Sequence, residues 1–246
     1  GLCQWLTNAI NILTGNFDRA GGAMFTAPAF DLLQGARGGE IHDRWRSRVR
    51  KLPEFMGELP VAALAEEILT EGEGQIKALV TSCGNPVLST PNGGQLDRAL
   101  TRLEFMVSID LYINETTRHA NLILPPATNL ESSHYDVVFN TFAVRNTTKY
   151  SGPLFAKPDA ARHDWEILQE LSHRLQGKPG SCTPEAPEGK LDMGLRYGKY
   201  GLSVEKLAES PHGVDLGELT PCLPERLLTS GKRINLAPEI LVRDLD

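Results

Sequence analysis

The sequence has few cysteines, and no two of them lie close together. The 246 residues contain four, at Cys3, Cys83, Cys182 and Cys222. This spacing provides no C-x-x-C clip for a zinc ion, an iron–sulphur cluster or a redox pair. A chain of this length also needs no disulfide framework, so we expect free thiols and a reducing, cytoplasmic compartment.

Several other features are absent. No apolar run approaches the roughly 18 residues of a membrane-spanning helix. The formal net charge is −6, which argues against a broad nucleic-acid-binding face. No G-x-G-x-x-G follows a predicted strand and no Walker A motif occurs, so the common nicotinamide and P-loop fingerprints are excluded. The hydrophobic content of 41% and charged content of 23% are typical of a globular domain.

The central part of the chain alternates between short apolar runs and a helical pattern. The apolar runs cover residues 76–81, 105–109 and 120–126, and residues 95–103 form the helical pattern between the first two. This order is typical of βαβ units. It predicts an α/β fold with a Rossmann-like parallel sheet flanked by helices, and with irregular N-terminal and C-terminal appendages.

The rest of the chain has weaker signals. Apolar spacing predicts an amphipathic helix over residues 2–13 and further helices over 60–70, 159–175, 191–200 and 203–208. Residues 16–58 are predicted to be irregular, with bends at Gly21-Gly22 and Gly38-Gly39. β-Branched and aromatic residues indicate extended structure over 136–145, and Asp159 is the expected cap of the helix that follows.

Polar residues follow the first two predicted strands. Gly84, Asn85 and Ser89 come after the first strand, and Asp110 comes directly after the second. Ligands of open parallel sheets bind beyond the carboxyl ends of the strands, so these loops are the candidate ligand site. Glycine permits close approach to the backbone, the amide and hydroxyl offer hydrogen bonds, and the carboxylate can accept from a base edge or a ribose. The alternative is that the same residues have a structural role only, in turns between the elements or in capping a helix. Cys83 is interpreted as a small buried residue at the end of the strand.

Several segments in register resemble the molybdopterin oxidoreductases of the dimethyl sulfoxide reductase type. The matching segments are LTGNFDRAGG at 13–22, GNP at 84–86 with Ser89, Asp110 with Glu115-Thr116, ANLILP at 120–125, Glu131, DWEIL at 164–168 and KRINL at 232–236. Two positions depart from the family pattern, with Ala20 where proline is usual and Asn121 where aspartate is usual. Each segment alone is a weak signal, but their order over residues 6–240 is a specific one.

The resemblance implies a fragment of a larger oxidoreductase. Its cofactor would be molybdopterin guanine dinucleotide with molybdenum or tungsten, whose metal ligand and any iron–sulphur cluster lie outside this chain. Carried over from the family, Asn85, Ser89, Asp110, Glu115 and Thr116 would hold the guanine dinucleotide arm, and Gly84 is grouped with them. Residues 1–175 would form the cofactor-binding segment, 176–230 a loop with short helices, and 231–246 the start of another domain with a strand at 234–236.

The resemblance also implies partners. These are the N- and C-terminal domains of the same enzyme, and a second copy of the chain if apolar surface meant for those domains is exposed. The basic run at Arg44, Arg46, Arg48 and Arg50 is interpreted as a solvated face, or as a surface that meets another domain or the cofactor's phosphates. The resemblance favours redox chemistry. Hydration chemistry is the alternative, because it occurs on the same scaffold.

Two alternatives and the catalytic residues remain open. The chain could be a stand-alone, non-catalytic nucleotide- or anion-binding α/β module, or an interaction domain that binds a protein through its sheet edge and the basic run from Arg44 to Arg50. His119, His134 and His163 have no metal-ligand spacing, and His134-Tyr135 lies where the chain departs from family members. Glu131 and Asp136 could form an acid/base couple only if folding brings them together. No catalytic residue is assigned.

Overall fold

The computed structural model describes residues 1–32, 42–181 and 183–245. The predicted bend at Gly38-Gly39 and the thiol of Cys182 lie outside these residues. The helices are α1 (Leu2–Leu13), α2 (Leu64–Leu69), α3 (Pro86–Ser89), α4 (Gly93–Leu100), α5 (Asp164–Leu175), α6 (Pro187–Tyr197), α7 (Val204–Ala208) and α8 (Glu239–Val242). The strands are β1 (His42–Arg46), β2 (Pro53–Phe55), β3 (Ala78–Ser82), β4 (Phe105–Ile109), β5 (Leu122–Ile123), β6 (His134–Tyr135), β7 (Asn146–Thr148), β8 (Tyr150–Ser151) and β9 (Val214–Gly217).

The chain divides into two compact units whose segments interleave. One unit comprises the described residues within Gly1–Gly39, Ser133–Gly152 and Pro187–Asp246, and the other those within Glu40–Ser132 and Pro153–Ala186. We call these the terminal unit and the central unit. The domain limits expected from the sequence, at 175 and 230, concern the whole protein and stay a prediction.

The central unit contains the parallel sheet that the sequence predicts. Its strand order is β3-β4-β5, and both neighbouring pairs are parallel. Helices α2 and α4 contribute Ile68, Leu96 and Leu100 to a core that also contains the fully buried Met106 of β4. Burying such side chains stabilises the unit by about 1.5–3 kcal/mol each. The α/β fold with a parallel sheet flanked by helices is therefore confirmed.

The central elements lie where the sequence predicts them, but several of their bounds differ. Strand β4 covers the predicted residues 105–109, whereas β5 is only two residues long. Helix α5 begins at Asp164, five residues after the expected cap at Asp159. The residue before the helix is His163, and its backbone N–H donates to the Glu166 carboxylate at 2.7 Å. This contact satisfies a backbone donor at the N-terminus of the helix, so the helix begins at Asp164 and not directly after Asp159.

The segment predicted to be irregular contains an antiparallel pair. Strands β1 and β2 pair from His42 to Phe55, and the fully buried Glu54 lies on β2. Strand β1 contains one apolar residue, Trp45, and its other four residues are charged or histidine. It therefore has no alternating apolar pattern from which a strand could be predicted. The prediction of irregular structure over 16–58 was wrong for this stretch.

The terminal unit is built from helices and two short antiparallel pairs. Helix α1 has the predicted bounds. Strand β6 pairs with β8 and β7 with β9, beside a core of Ala29, Leu195 and Leu207. Helix α6 packs closely against the N-terminal segment at Gly194, because a Cβ there would lie 1.7 Å from the Phe30 ring.

Two strand predictions in the terminal unit were wrong. Residues 136–145 contain a 3-10 turn at Phe139–Phe142, where Asp136 accepts a hydrogen bond from the Phe139 N–H at 2.8 Å. Aspartate often starts such a turn by this contact, and here it overrides the β-preferring composition. Residues 234–236 form no strand; instead the Leu236 carbonyl accepts a hydrogen bond from Trp5 Nε1 at 2.9 Å.

Candidate functional site

The predicted site residues lie where β3 and β4 end. Strands β3 and β4 pair from Ala78 opposite Phe105 to Ser82 opposite Ile109, so both carboxyl ends meet at one edge. Below that edge the Thr81 and Ser108 hydroxyls are hydrogen-bonded at 2.9 Å. Beyond it the chain reverses at Cys83, which has φ of 51° and is exposed. Cys83 was predicted to be buried, and the left-handed turn carries its side chain outward instead.

Asn85 connects the two loops. Its Nδ2 donates to Glu115 Oε2 at 2.6 Å, and its Oδ1 accepts from the Thr116 hydroxyl at 2.7 Å. The Thr116 oxygen also accepts from the Val87 N–H at 3.0 Å. Thr116 is fully buried, so its two bonds satisfy a hydroxyl that water cannot reach. The structure thus brings Asn85, Glu115 and Thr116 together as the sequence expectation requires.

Asp110 is held within its own loop. Its Oδ1 accepts from the backbone N–H of Leu111 at 2.7 Å and of Tyr112 at 3.3 Å. Its Oδ2 accepts from Asn114 Nδ2 at 3.1 Å. A carboxylate has about four lone-pair sites, so Asp110 retains capacity for a ligand's donors while its orientation is fixed.

Glu115 is the exposed carboxylate of the site. The hydrogen bond from Asn85 is the main cause that lowers the pKa of this carboxyl below its ordinary value, with a smaller contribution from the charge of Arg118. Arg118 itself is paired with Asp97 on α4 at 2.6 Å, and His119 Nε2 lies 2.6 Å from the same Asp97 oxygen. Glu115 is therefore anionic and available at neutral pH.

Gly84 and Ser89 have more modest contacts. A Cβ on Gly84 would lie 3.6 Å from the Ser82 carbonyl oxygen, an ordinary contact, so packing does not require glycine there. Ser89 lies at the end of α3, where its hydroxyl donates to the Asn85 carbonyl at 3.0 Å. The tight approach is at Gly93 instead, because a Cβ there would lie 1.9 Å from the Val87 carbonyl oxygen.

The sequence interpretation missed Asn114. Its Oδ1 accepts from the backbone N–H groups of Thr116 and Thr117, both at 3.0 Å, while its Nδ2 reaches Asp110. Asparagine commonly caps a turn in this way, with its side-chain oxygen accepting from the backbone N–H groups two and three residues further along the chain. That signal was available in the order Asn114-Glu115-Thr116-Thr117.

The basic run is electrically compensated within the central unit. Arg44 is paired with Glu54, Arg46 with Asp43, Arg48 with Glu67 and Arg50 with Glu66. Because each guanidinium already has a carboxylate partner, the run is not a free phosphate-binding surface. The structure favours a partly solvated face with internal ion pairs.

The other candidates have structural contacts. Glu131 accepts from the Thr128 N–H at 2.8 Å, and His163 Nδ1 lies 3.1 Å from the Ser132 hydroxyl. His134 and Tyr135 line a cavity of about 310 Å³ in the terminal unit, where the Tyr135 hydroxyl accepts from Thr148. Burial is the main cause that raises the pKa of Tyr135 above its ordinary value.

Apolar side chains surround the site edge. Leu88 on α3 is 72% exposed, and Tyr112 and Ile113 in the Asp110 loop are 75% and 78% exposed. Cavities of about 250, 310 and 400 Å³ lie among the described residues of the terminal unit, and their linings contain no predicted site residue. The site is thus an open edge with apolar flanks.

Within residues 1–32, 42–181 and 183–245, no group of three or more His, Cys, Asp or Glu side chains is arranged to hold a metal ion. Over the same described ranges, no helix combines the length and the apolar character needed to cross a membrane.

Comparison with known proteins shows the family. The model of the molybdopterin oxidoreductase family matches residues 4–174, and the chain belongs to this family. It is 34% identical over 184 residues to the assimilatory nitrate reductase catalytic subunit of Bacillus subtilis (strain 168), covering 69% of this chain and 25% of that protein. It is 25% identical over 214 residues to the probable oxidoreductase YyaE of the same organism, covering 86% of this chain and 30% of that protein.

A solved structure supports the same fold. Acetylene hydratase from Pelobacter acetylenicus superposes with a TM-score of 0.54 at 18% identity, covering 74% of this chain and 24% of that one. This similarity concerns the fold alone. The chain spans about a quarter to a third of the length of the two Bacillus relatives.

Proposed function

We propose that this chain is the segment of a molybdenum or tungsten oxidoreductase that holds the guanine dinucleotide arm of a bis-molybdopterin guanine dinucleotide cofactor. The observation that carries the proposal is the joined pair of loops at the ends of β3 and β4. There Asn85 is hydrogen-bonded to both Glu115 and Thr116, and Asp110 lies at the end of the neighbouring strand. Open parallel sheets bind nucleotides at this place.

The chemistry of the site fits a guanosine group. Asp110 and Glu115 are carboxylates that accept hydrogen bonds, while guanine and ribose present N–H and O–H donors. The family membership and the nitrate reductase similarity support an oxidoreductase for the whole protein. When bound, the metal of such a cofactor supplies two-electron chemistry, and this chain's residues orient and retain the dinucleotide.

The open edge favours this function over a stand-alone nucleotide-binding module. A stand-alone module should enclose Asn85 and Asp110 in a pocket, whereas Leu88, Tyr112 and Ile113 beside them are strongly exposed. Exposed apolar side chains around a site are typical of surfaces that other domains cover. The cytoplasmic location stays a prediction.

Nucleotide titration tests the proposal. We expect GDP to bind this chain, ADP to bind at least about tenfold more weakly, and Asp110→Ala and Glu115→Gln each to weaken GDP by about tenfold, as expected for a lost hydrogen bond to a charged group. Isothermal calorimetry measures all four affinities. Equal affinity for ADP and GDP would contradict the guanine assignment and support the alternative module.

A further inference from the structure

The Asn114 side chain contacts both Asp110 and the turn that carries Thr116. Its Nδ2 donates to Asp110 Oδ2 at 3.1 Å. Its Oδ1 accepts from the Thr116 and Thr117 N–H groups. Its own N–H donates to the Thr117 hydroxyl at 2.8 Å, so the backbone at this position is also fixed.

Both ends of this contact belong to the site. Thr116 is bonded to Asn85, and Asn85 is bonded to Glu115. Asp110 lies at the opposite end of the connection, where it also accepts from two backbone N–H groups of its own loop. A continuous series of hydrogen bonds therefore runs from Asp110 through Asn114 and Thr116 to Asn85.

We propose that Asn114 is a positioning residue that fixes the Asp110 carboxylate relative to Glu115, so that both carboxylates meet one ligand. The amide suits this role because it combines a donor for Asp110 with an acceptor for the backbone. Aspartate would keep an acceptor for the turn but would lack the donor, and serine would keep an acceptor on a side chain too short to reach Asp110 at the same time. Aspartate would also place a like charge beside Asp110, which is unfavourable at this distance.

The ligand part of this inference rests on the proposed function, while the positioning part does not. Two variants test the contact with Asp110: Asn114→Asp removes the donor and adds a charge, and Asn114→Ser shortens the side chain without adding a charge. The control is Asn121→Asp, which adds the same charge near the start of β4. Asn121 Oδ1 accepts from the Met106 N–H at 2.7 Å, and a carboxylate retains that bond.

Amide hydrogen exchange and calorimetry with GDP as the probe test the inference together. In Asn114→Asp we expect exchange at Leu111 and Tyr112 to be about tenfold faster, with Thr116 and Thr117 still protected, because only the contact to Asp110 is lost. Asn114→Ser should show the same pattern to a smaller extent, and Asn121→Asp should leave all four amides unchanged. The GDP affinity should fall most in Asn114→Asp, less in Asn114→Ser and not at all in Asn121→Asp. The unfolding midpoint of both Asn114 variants should be similar to that of Asn121→Asp.

The possible outcomes are distinct. Unchanged exchange at Leu111 and Tyr112 in both Asn114 variants would overturn the positioning role, whether or not any nucleotide binds. Unchanged GDP affinity in a variant whose exchange has increased would overturn its importance for the ligand. Altered exchange together with no GDP binding by the unsubstituted chain would support the positioning role and contradict the proposed function.

Discussion

Asn85 and Glu115 are 30 residues apart in sequence, yet the Asn85 amide donates to the Glu115 carboxylate at 2.6 Å. This bond joins the loop after β3 to the loop after β4. Both atoms of the Asn85 amide are used in it and in the contact with Thr116. Under the proposed function, Asn85 would act on the ligand chiefly by holding Glu115, which has the exposed carboxylate.

Removal of this bond should raise the pKa of Glu115. The Asn85 amide is the first cause of the lowered pKa, so Asn85→Ala should move it back toward the ordinary glutamate value. A carboxyl with a lowered pKa favours the folded state above its unfolded pKa and loses that contribution as pH falls through the folded pKa. Carbon-13 NMR titration of the Glu115 carboxyl measures the shift. The Asp215 carboxyl, whose pKa is lowered by Arg145, should not change in the same variant.

Thr116→Val should destabilise the chain. Valine at this fully buried position removes the hydroxyl that donates to Asn85 and accepts from the Val87 N–H, so both half-buried partners lose a hydrogen bond. We expect a loss of about 1–3 kcal/mol in the free energy of unfolding. Urea denaturation measures it, and Thr116→Ser should recover most of the loss.

A matched control for this prediction is Thr101→Val. The Thr101 hydroxyl is exposed and donates to the Arg98 carbonyl at the end of α4. Exposed substitutions of this kind change stability by no more than about 0.5 kcal/mol. An equal loss in Thr101→Val and Thr116→Val would show that the buried connection has no special contribution.

Two adjacent glycines at the start of α4 should respond in opposite directions. Gly93→Ala places a Cβ 1.9 Å from the Val87 carbonyl oxygen, so α3 must shift, and we expect a destabilisation of about 1–3 kcal/mol. Gly94→Ala has 3.8 Å to its nearest neighbour, the Arg98 side chain. Alanine there should stabilise the helix by about 0.5–1 kcal/mol. Thermal unfolding of the two variants compares them directly, and the same sign for both would contradict the packing at Gly93.

The sequence was sufficient for the sheet and for the edge at which the candidate site residues lie. Strand β4 is buried at four of its five positions, and such a continuous apolar run has clear limits. Parallel pairing of β3 and β4 then places Asn85 and Asp110 at the same edge of the sheet, as the sequence predicts. The hydrogen-bond partners were not predictable, because they depend on the paths of two loops after the strands end.

Polar residues caused most of the errors. Asp136 begins a 3-10 turn although its neighbours favour a strand, and β1 pairs with β2 around the buried Glu54. In both places a side-chain contact to the backbone outweighs local propensity. Composition and periodicity do not report such contacts, so the strand at 136–145 was predicted wrongly and the pair at 42–55 was missed.

Glu54 should make the stability of the central unit depend on pH in the acid range. The Arg44 hydrogen bond is the main cause that lowers its pKa to about 2, and the Gly57 and Arg44 backbone N–H groups contribute further. The stability from this carboxylate is fully present above its ordinary pKa of 4.5 and is lost as pH falls toward about 2. Glu54→Gln should lower the unfolding temperature at pH 6 and flatten its dependence on pH between 5 and 2. Asp43→Asn, which removes the partly exposed pair with Arg46, should leave that dependence nearly unchanged.

The exposed apolar edge should cause self-association. Tyr112 and Ile113 are exposed by 75% and 78%, beside carboxylates that point to the same open edge. If two copies bury these side chains against each other, each contributes about 1.5–3 kcal/mol. The double variant Tyr112→Ser/Ile113→Ser should then weaken association by at least about tenfold in sedimentation equilibrium. Phe142→Ser/Val144→Ser removes side chains of similar exposure from the terminal unit and should not have this effect. A chain that is monomeric at all concentrations, or an equal effect of the second pair, would show that this edge is not the contact between copies.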